Sequence, residues 1–283
     1  MQKIAPIISA IELGKLIKNK AVTLVDARTG ADALERYNAE HLDGALYVDL
    51  DKDLSLKGPD ASKGGRHPLP PVKDFAALLG RLGIESSSHV VVYDDKGGAN
   101  AAARFWWMLR ALGHENVQVL DGGLASALKA GLPVTDKIPE VTTQAPYPAD
   151  NWILPTTNAD EVAHAVVDPG NLVIDVREGF RYRGESEPID LLAGHIPGAV
   201  NIPYSENLDS GGNFHSAEEL SKKYKEAIGE KNSQQVIVHC GSGVTACHTL
   251  LAMDYAGIEM PNLYVGSWSE WSRNDRPIAV GDR

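Results

Sequence analysis

The chain has 283 residues and two cysteines, and one of them, Cys240, stands where chemistry can be expected. It follows the apolar run Val236-Ile237-Val238-His239, which predicts a buried strand, and the apolar spacing after Thr245 predicts a helix. Glycines occupy the first and third positions after the cysteine. A glycine-rich loop before a helix N-terminus attracts anions and favours the thiolate form of a cysteine. Cys240 is therefore the candidate nucleophile.

The second cysteine and the rest of the composition narrow the chemistry. In a helix Cys247 lies two turns from Cys240, roughly 10 Å away and too far for a disulfide, so we interpret it as a packing residue. Two cysteines, without a Cys-x-x-Cys pair or clustered histidines, predict neither a disulfide framework nor a zinc site. We expect a reduced, cytoplasmic protein without metal or cofactor.

The elements that must position Cys240 occur twice in the chain. Capping boxes that predict helix starts stand at Ser9 and Asn158, and the aspartates Asp26 and Asp175 follow them at the same distance of 17 residues. Both aspartates end short apolar runs typical of buried strands. This repeat predicts an α/β fold with two tandem domains, each a mostly parallel sheet with helices on both faces.

A proline-rich stretch with little apolar periodicity separates the two halves. We place the N-terminal domain at 1–135, the linker at 136–155 and the C-terminal domain at 156–283. At the position of Cys240 the first half has Asp94, so only the second domain offers a nucleophilic thiol. Because ligands of open α/β sheets bind at the carboxyl ends of the strands, this difference falls at the functional edge.

These features together resemble the tandem-domain rhodaneses, in which the second domain is catalytic and the first is a degenerate copy with an aspartate in place of the cysteine. The resemblance covers nearly the whole chain and implies a sulfurtransferase that carries sulfur as a Cys240 persulfide. It is carried by the following motifs: the Asp-x-Arg strand ends Asp26–Arg28 and Asp175–Arg177, Gly194–Gly198, Arg104–Trp107, Cys240–Thr245 and Gly266–Trp271.

Within the family, the loop after the cysteine indicates the sulfur donor. A Cys-Arg-Lys-Gly-Val-Thr loop is typical of thiosulfate enzymes, whereas Cys-Gly-Ser-Gly-Val-Thr, found here from Cys240 to Thr245, resembles the 3-mercaptopyruvate sulfurtransferases. The resemblance implies that Ser242, His67 and Asp51 form a hydroxyl–imidazole–carboxylate relay that moves a proton during sulfur transfer. It also implies that the donor is bound by the loop residues Gly241, Gly243, Val244 and Thr245.

Arg181 matches the arginine that grips the donor's carboxylate, for which a guanidinium fork is suited. The family pattern has a second arginine where this chain has Ile189. We therefore expect 3-mercaptopyruvate as donor and a small thiol, thioredoxin or cyanide as acceptor, with thiosulfate as the alternative donor.

Other function classes fit less well. The net charge of −11 argues against nucleic-acid binding, and the charged N-terminus predicts neither a signal peptide nor a membrane span. A rhodanese-like phosphatase would need an arginine six residues after the cysteine, where Ala246 stands. A non-catalytic binding module is the remaining alternative, and the presence of Cys240 argues against it.

Overall fold

The computed structural model describes residues 4–282, which form two compact α/β units. One unit comprises the described residues up to Ser55, Pro70–Ile153 and Gly211–Asn213. The other comprises Leu56–Leu69, Leu154–Ser210 and the described residues from Phe214 onwards. The predicted fold class is confirmed, since each unit has a mostly parallel sheet flanked by helices.

The first unit contains a five-stranded sheet and a two-stranded sheet. Its strands are β1 (Ile7–Ile8), β2 (Thr23–Asp26), β3 (His41–Leu42), β4 (Leu46–Tyr47), β5 (Val90–Tyr93), β6 (Val117–Leu120) and β7 (Val134–Thr135). Its helices are α1 (Ala10–Lys18), α2 (Ala33–Ala39), α3 (Val72–Arg81), α4 (Ala101–Ala111) and α5 (Gly123–Lys129). The sheet order is β1-β6-β5-β2-β4, all parallel, and β3 pairs antiparallel with β7.

The second unit repeats this plan. Its strands are β8 (Thr156–Thr157), β9 (Leu172–Asp175), β10 (Val200–Asn201), β11 (Val236–His239) and β12 (Asn262–Tyr264). Its helices are α6 (Ala159–Ala165), α7 (Gly179–Tyr182), α8 (Ala217–Ile228), α9 (Thr245–Tyr255) and α10 (Ser267–Trp271), with 3-10 turns at Tyr204–Asn207 and Ser233–Gln235. The parallel order β10-β9-β11-β12-β8 is that of the first sheet read from its other edge.

Local chemistry explains why the elements begin and end where they do. The capping boxes predicted at Ser9 and Asn158 are both present, each with the side chain of the glutamate three residues later returning to the cap. The central strands β5 and β11 are buried along their whole length, as the continuous apolar runs predict for strands covered on both faces. Each sheet thus brings the carboxyl end of its central strand to the edge where Asp94 or Cys240 follows.

One segment of the first half belongs structurally to the second unit. Within residues 56–69, the backbone N–H of Gly64 donates to Glu270 Oε1 at 2.8 Å, and that of Arg66 donates to Ser269 Oγ at 3.0 Å. Gly65 packs so closely that an added Cβ would lie 2.4 Å from the carbonyl oxygen of Gly266. The predicted division gave this segment to the N-terminal domain, because partners some 200 residues away leave no trace in local sequence.

Candidate active site

Cys240 begins the loop between β11 and α9 and is 2% exposed. Its backbone is fixed on both sides, since its N–H donates to Ser267 Oγ at 3.2 Å and its carbonyl accepts from the N–H of Trp268 at 3.0 Å. Both cysteines are free thiols. The nucleophile proposed from the sequence therefore lies on a rigid turn at the carboxyl end of the central strand.

The loop after Cys240 depends on glycine. Gly243 has φ of +72°, and a Cβ there would lie 2.4 Å from the carbonyl oxygen of Val265, so no other residue fits without moving backbone. The carbonyl of Gly241 accepts from the N–H of Ser269 at 2.8 Å. Val244 is buried, and Thr245 is the first residue of α9. The predicted donor-binding residues thus form one tight turn, and their contact with a donor stays a prediction.

The structure brings two of the three predicted relay residues together. His67 Nδ1 lies 2.8 Å from Ser242 Oγ, within the second unit, and the serine is 6% exposed. Segment 56–69 carries this histidine, which is half-buried rather than freely solvated. A hydroxyl hydrogen-bonded to an imidazole two residues from a thiol can deliver or accept a proton close to the reacting sulfur.

Asp51 lies in the first unit, on an exposed turn after β4 where its N–H donates to Asp49 Oδ1 at 2.9 Å. Its predicted role of orienting the imidazole of His67 stays a prediction.

Arg181, on α7, is paired with carboxylates of its own unit. Its Nε and Nη2 donate to Glu187 at 2.8–3.1 Å, and Nη2 also reaches Asp190 Oδ2 at 3.3 Å. Burial works to lower the pKa of Arg181, but the hydrogen bonds and charges of Glu187, with Glu178 and Asp190, outweigh it and raise the pKa. The fork that was predicted to grip a donor is therefore largely occupied, and its side chain is only 8% exposed.

A cluster of charges that the sequence did not predict surrounds Asp190, whose side chain is fully buried. Arg66 Nε donates to Asp190 Oδ1 at 2.9 Å, and Arg273 Nη1 to the same oxygen at 3.3 Å. A Cβ built on Gly241 would lie 3.1 Å from Arg66 Nη2, 3.3 Å from Asp190 Oδ2 and 3.4 Å from Arg181 Nη2. The loop has no cation of its own, but guanidinium groups from other segments flank it. The only sequence signal was the position of Arg66 beside the predicted relay histidine.

Ile189, at the position where the family pattern has an arginine, is 55% exposed and has no charged side chain to offer. Its backbone N–H donates to Glu187 Oε1 at 3.0 Å, which ties it to the same carboxylate cluster.

Three other histidines hold backbone rather than substrate. His41 and His195, in the repeated turns, place Nδ1 at 2.7 Å from Tyr37 O and 2.8 Å from Tyr182 O. Burial lowers the pKa of His239, which places Nδ1 3.2 Å from the carbonyl of Cys240 rather than at its sulfur.

Cys247 is fully buried on α9, and its Sγ lies 3.4 Å from the carbonyl oxygen of Gly243. This is the environment expected of a packing residue. Within residues 4–282, no cluster of histidine, cysteine and carboxylate side chains could hold a metal ion, and no helix is long and apolar enough to span a membrane.

Comparison with known proteins gives a consistent family. The model of the rhodanese-like domain matches residues 9–130 and 158–274. A probable 3-mercaptopyruvate sulfurtransferase from Pseudomonas aeruginosa is 38% identical, over 98% of this chain and 99% of its own length. Thiosulfate sulfurtransferase from Gallus gallus is 36% identical, over 87% of this chain and 83% of its own. The structure of SseA from Escherichia coli, described as a 3-mercaptopyruvate sulfotransferase of rhodanese fold, superposes with a TM-score of 0.78 at 30% identity, covering 94% of this chain and all of its own.

Proposed function

Because this chain belongs to the rhodanese-like family and is a sulfurtransferase, we propose that it moves a sulfur atom from 3-mercaptopyruvate through a Cys240 persulfide to a thiol or cyanide acceptor. The observation that carries the proposal is the pair His67–Ser242, joined at 2.8 Å two residues from a thiol on a glycine turn. When the sulfur of mercaptopyruvate is transferred, the carbon that carried it must receive a proton, and this pair can move one to it.

The first half-reaction begins with the Cys240 thiolate attacking the sulfur of the donor. A sulfur–sulfur bond forms, the carbon–sulfur bond breaks, and its electron pair leaves on carbon as the enolate of pyruvate. The proton first held by the donor's thiol moves through Ser242 and His67 to that carbon, which gives pyruvate and a Cys240 persulfide. Asp51 orients the imidazole of His67 in this scheme, as the family resemblance implies.

The second half-reaction returns the enzyme to its starting state. An acceptor thiolate or cyanide attacks the outer sulfur, the sulfur–sulfur bond breaks, and the electron pair returns to Cys240 as thiolate. A small thiol or thioredoxin fits this step, and neither half-reaction requires a cofactor. A reducing compartment such as the cytoplasm would keep Cys240 available as a thiol between turnovers.

Donor binding falls to the turn and to the cations beside it. Gly241, Gly243 and Val244 lead directly into α9, which begins at Thr245, and the positive end of this helix suits an anionic donor or persulfide. Arg181 is the carboxylate ligand that the family resemblance implies, and a donor would compete with Glu187 for its guanidinium.

Thiosulfate is the second candidate donor, and one observation favours it. Two guanidinium groups approach Gly241 together with the Asp190 carboxylate, and their N–H groups are donors that a dianion could use, although the loop itself is neutral. In that reaction Cys240 would attack the outer sulfur, with sulfite as the leaving group. The resemblance of the loop to the mercaptopyruvate group, and the relay hydroxyl of Ser242, still favour mercaptopyruvate.

Mass spectrometry of the donor-treated protein tests the proposal. The intact mass should rise by one sulfur atom, and peptide mapping should place the sulfur on Cys240. Cys240→Ser should abolish both the adduct and turnover, whereas the matched control Cys247→Ser should keep most activity. An adduct on Cys247, or no adduct with either donor, would contradict a persulfide enzyme and favour a binding module. A higher kcat/KM for thiosulfate than for mercaptopyruvate would reverse the choice of donor.

A further inference from the structure

Helix α10 is hydrogen-bonded to both sides of the contact between His67 and Ser242. Its residue Ser269 is fully buried, and the backbone N–H of Ser269 donates to the carbonyl oxygen of Gly241, the residue before Ser242, at 2.8 Å. The hydroxyl of Ser269 accepts the backbone N–H of Arg66, the residue before His67, at 3.0 Å. One serine is therefore bonded to the immediate neighbour of each member of the pair.

We infer that Ser269 is a positioning residue of the relay, which sets the distance between the imidazole of His67 and the hydroxyl of Ser242. The inference rests on the proposed function, since this distance matters for turnover only if the pair moves a proton. The 2.8 Å between Nδ1 and Oγ is within reach of proton transfer, whereas a displacement of about 1 Å can slow a reaction about 100-fold. Ser269 takes no part in the proton transfer and acts through the two segments that it joins.

The hydroxyl of Ser269 is oriented to hold the backbone of Arg66. It donates its own proton to the carbonyl oxygen of Gly266 at 3.0 Å, which leaves its lone pairs for the N–H of Arg66. Gly65 packs against the same hydroxyl, since a Cβ added there would lie 2.7 Å from Ser269 Oγ. A methyl group at position 65 would therefore push the segment away from the serine.

Other contacts keep the segment that carries His67 attached to the second unit. The N–H of Gly64 donates to Glu270 Oε1 at 2.8 Å, and the side chain of Arg66 donates to Asp190 Oδ1 at 2.9 Å. Because these bonds remain when the serine hydroxyl is removed, its loss should shift the imidazole rather than release the segment.

The test compares Ser269→Ala with the matched control Ser272→Ala in the full chain. Ser272 is also a buried serine, at the end of α10, and its hydroxyl has no hydrogen-bond partner among residues 4–282. Ser269→Ala should lower kcat for mercaptopyruvate about 10- to 100-fold with KM unchanged, because the transition state and not donor binding needs the relay. Ser272→Ala should match the wild type. Gly65→Ala, which displaces the segment from its own side, should give the same pattern as Ser269→Ala even if the latter folds poorly.

Two readouts separate positioning of the imidazole from support of the whole site. In a His67→Ala background, Ser269→Ala should cause no further loss, because the group that it positions is gone. Transfer from the preformed persulfide to cyanide needs no proton at carbon, so Ser269→Ala should leave its rate unchanged. A loss that persists without His67, or that slows the cyanide step equally, would mean that Ser269 supports the Cys240 loop as a whole and would overturn the inference.

NMR distinguishes failure of the inference from failure of the proposed function. Without any donor, the imidazole ¹⁵N signals of His67, assigned with His67→Ala, should shift in Ser269→Ala and stay in place in Ser272→Ala. Unchanged signals in Ser269→Ala would overturn the inference even in a protein that turns over mercaptopyruvate. A wild-type protein that forms no persulfide would instead contradict the function, and the imidazole signals would still decide whether Ser269 positions His67.

Discussion

The loops after the two central strands start at matching positions and contain opposite chemistry. In the first unit the carboxylate of Asp94 is buried and accepts four backbone N–H groups, from Lys96 and Gly98 at 2.8 Å, Asn100 at 3.1 Å and Ala102 at 3.2 Å. In the second unit Cys240 takes the place of that carboxylate. The first loop is thus closed around the carboxyl group of Asp94, whose pKa is raised by burial although the four N–H groups oppose the rise, and the second loop has a thiol at that position.

The loops also differ in length and in the turn that faces them. Helix α4 begins seven residues after Asp94, whereas α9 begins five residues after Cys240. The facing turns carry Gly123 at φ +57° in the first unit and Ser267 at φ +53° in the second. A serine in this left-handed conformation is strained, and its hydroxyl binds the N–H of Cys240. The loop after Cys240 is thus shorter and is held by Ser267, a residue of the facing turn. The loop after Asp94 is longer and is held by the Asp94 side chain itself.

The greatest loss of stability is expected when the carboxyl group that closes the first loop becomes an amide. Asp94→Asn keeps the shape but replaces one acceptor oxygen with an amide nitrogen, so two buried N–H groups lose their partner. At about 1–3 kcal/mol for each, the free energy of unfolding of the first unit should fall by about 2–6 kcal/mol. Chemical denaturation measures the fall in the free energy of unfolding, and hydrogen exchange of β5 and α4 assigns it to the first unit. The first loop would not be stabilised by its carboxylate if Asp94→Asn were as stable as the wild type.

The next effect concerns the relay of the second loop. Ser242→Ala should slow mercaptopyruvate turnover about 10²–10³-fold, since it removes the hydroxyl next to His67. If Asp51, His67 and Ser242 act as one unit, single alanine changes should cost similar factors and combined changes should not multiply. Steady-state kinetics of the single and combined variants measures this. Strictly multiplicative losses would mean that the three side chains act independently.

Acid should weaken the second unit more than the first. Burial lowers the pKa of His248 to about 3 and also lowers that of His239, both in the second unit, whereas the first has one such histidine, His114. Below the unfolded value of about 6.5 the unfolded chain binds protons that the folded chain excludes, so stability falls as the pH falls from there. For His248 the slope should approach about 1.4 kcal/mol per pH unit below pH 6.5, and His239 and His114 add to the fall in the same direction.

Hydrogen exchange of β11 and α9 between pH 7 and pH 5 checks this slope. His248→Gln should flatten it, whereas His164→Gln, at an exposed position, should leave it unchanged. If the stability of the first unit fell as steeply with pH as that of the second, the predicted difference between the two units would be wrong.

A cysteine placed in the first loop is expected to have no effect on sulfur uptake. Asp94→Cys restores a cysteine at the matching position, but its loop remains two residues longer and has Lys96 where the second loop has Ser242. Donor treatment should therefore still add one sulfur atom in total, on Cys240. Intact mass and peptide mapping measure this, and a persulfide on the new cysteine would mean that loop length and facing turn are not decisive.

The local sequence pattern was sufficient to predict the two α/β domains. The two capping boxes, the apolar runs that became β2, β9 and β11, and the glycine turn after Cys240 all depend on neighbours within a few residues, which sequence displays directly. The family resemblance supplied His67, whose contact with Ser242 spans 175 residues. The cluster of Arg66, Asp190 and Arg273 could not be predicted, because three charged residues far apart in the chain are ordinary surface residues until a fold buries them together.

The membership of residues 56–69 in the second unit sets an order for folding. The hydrogen bond from Gly64 to Glu270 spans 206 residues, so the segment is synthesised about 10–40 s before α10 exists. Until then Arg66 and His67 have none of their second-unit partners on α10 or the Cys240 loop. A fragment that began at the linker would fold around the thiol without its imidazole. The site is therefore complete only after α10 has been made.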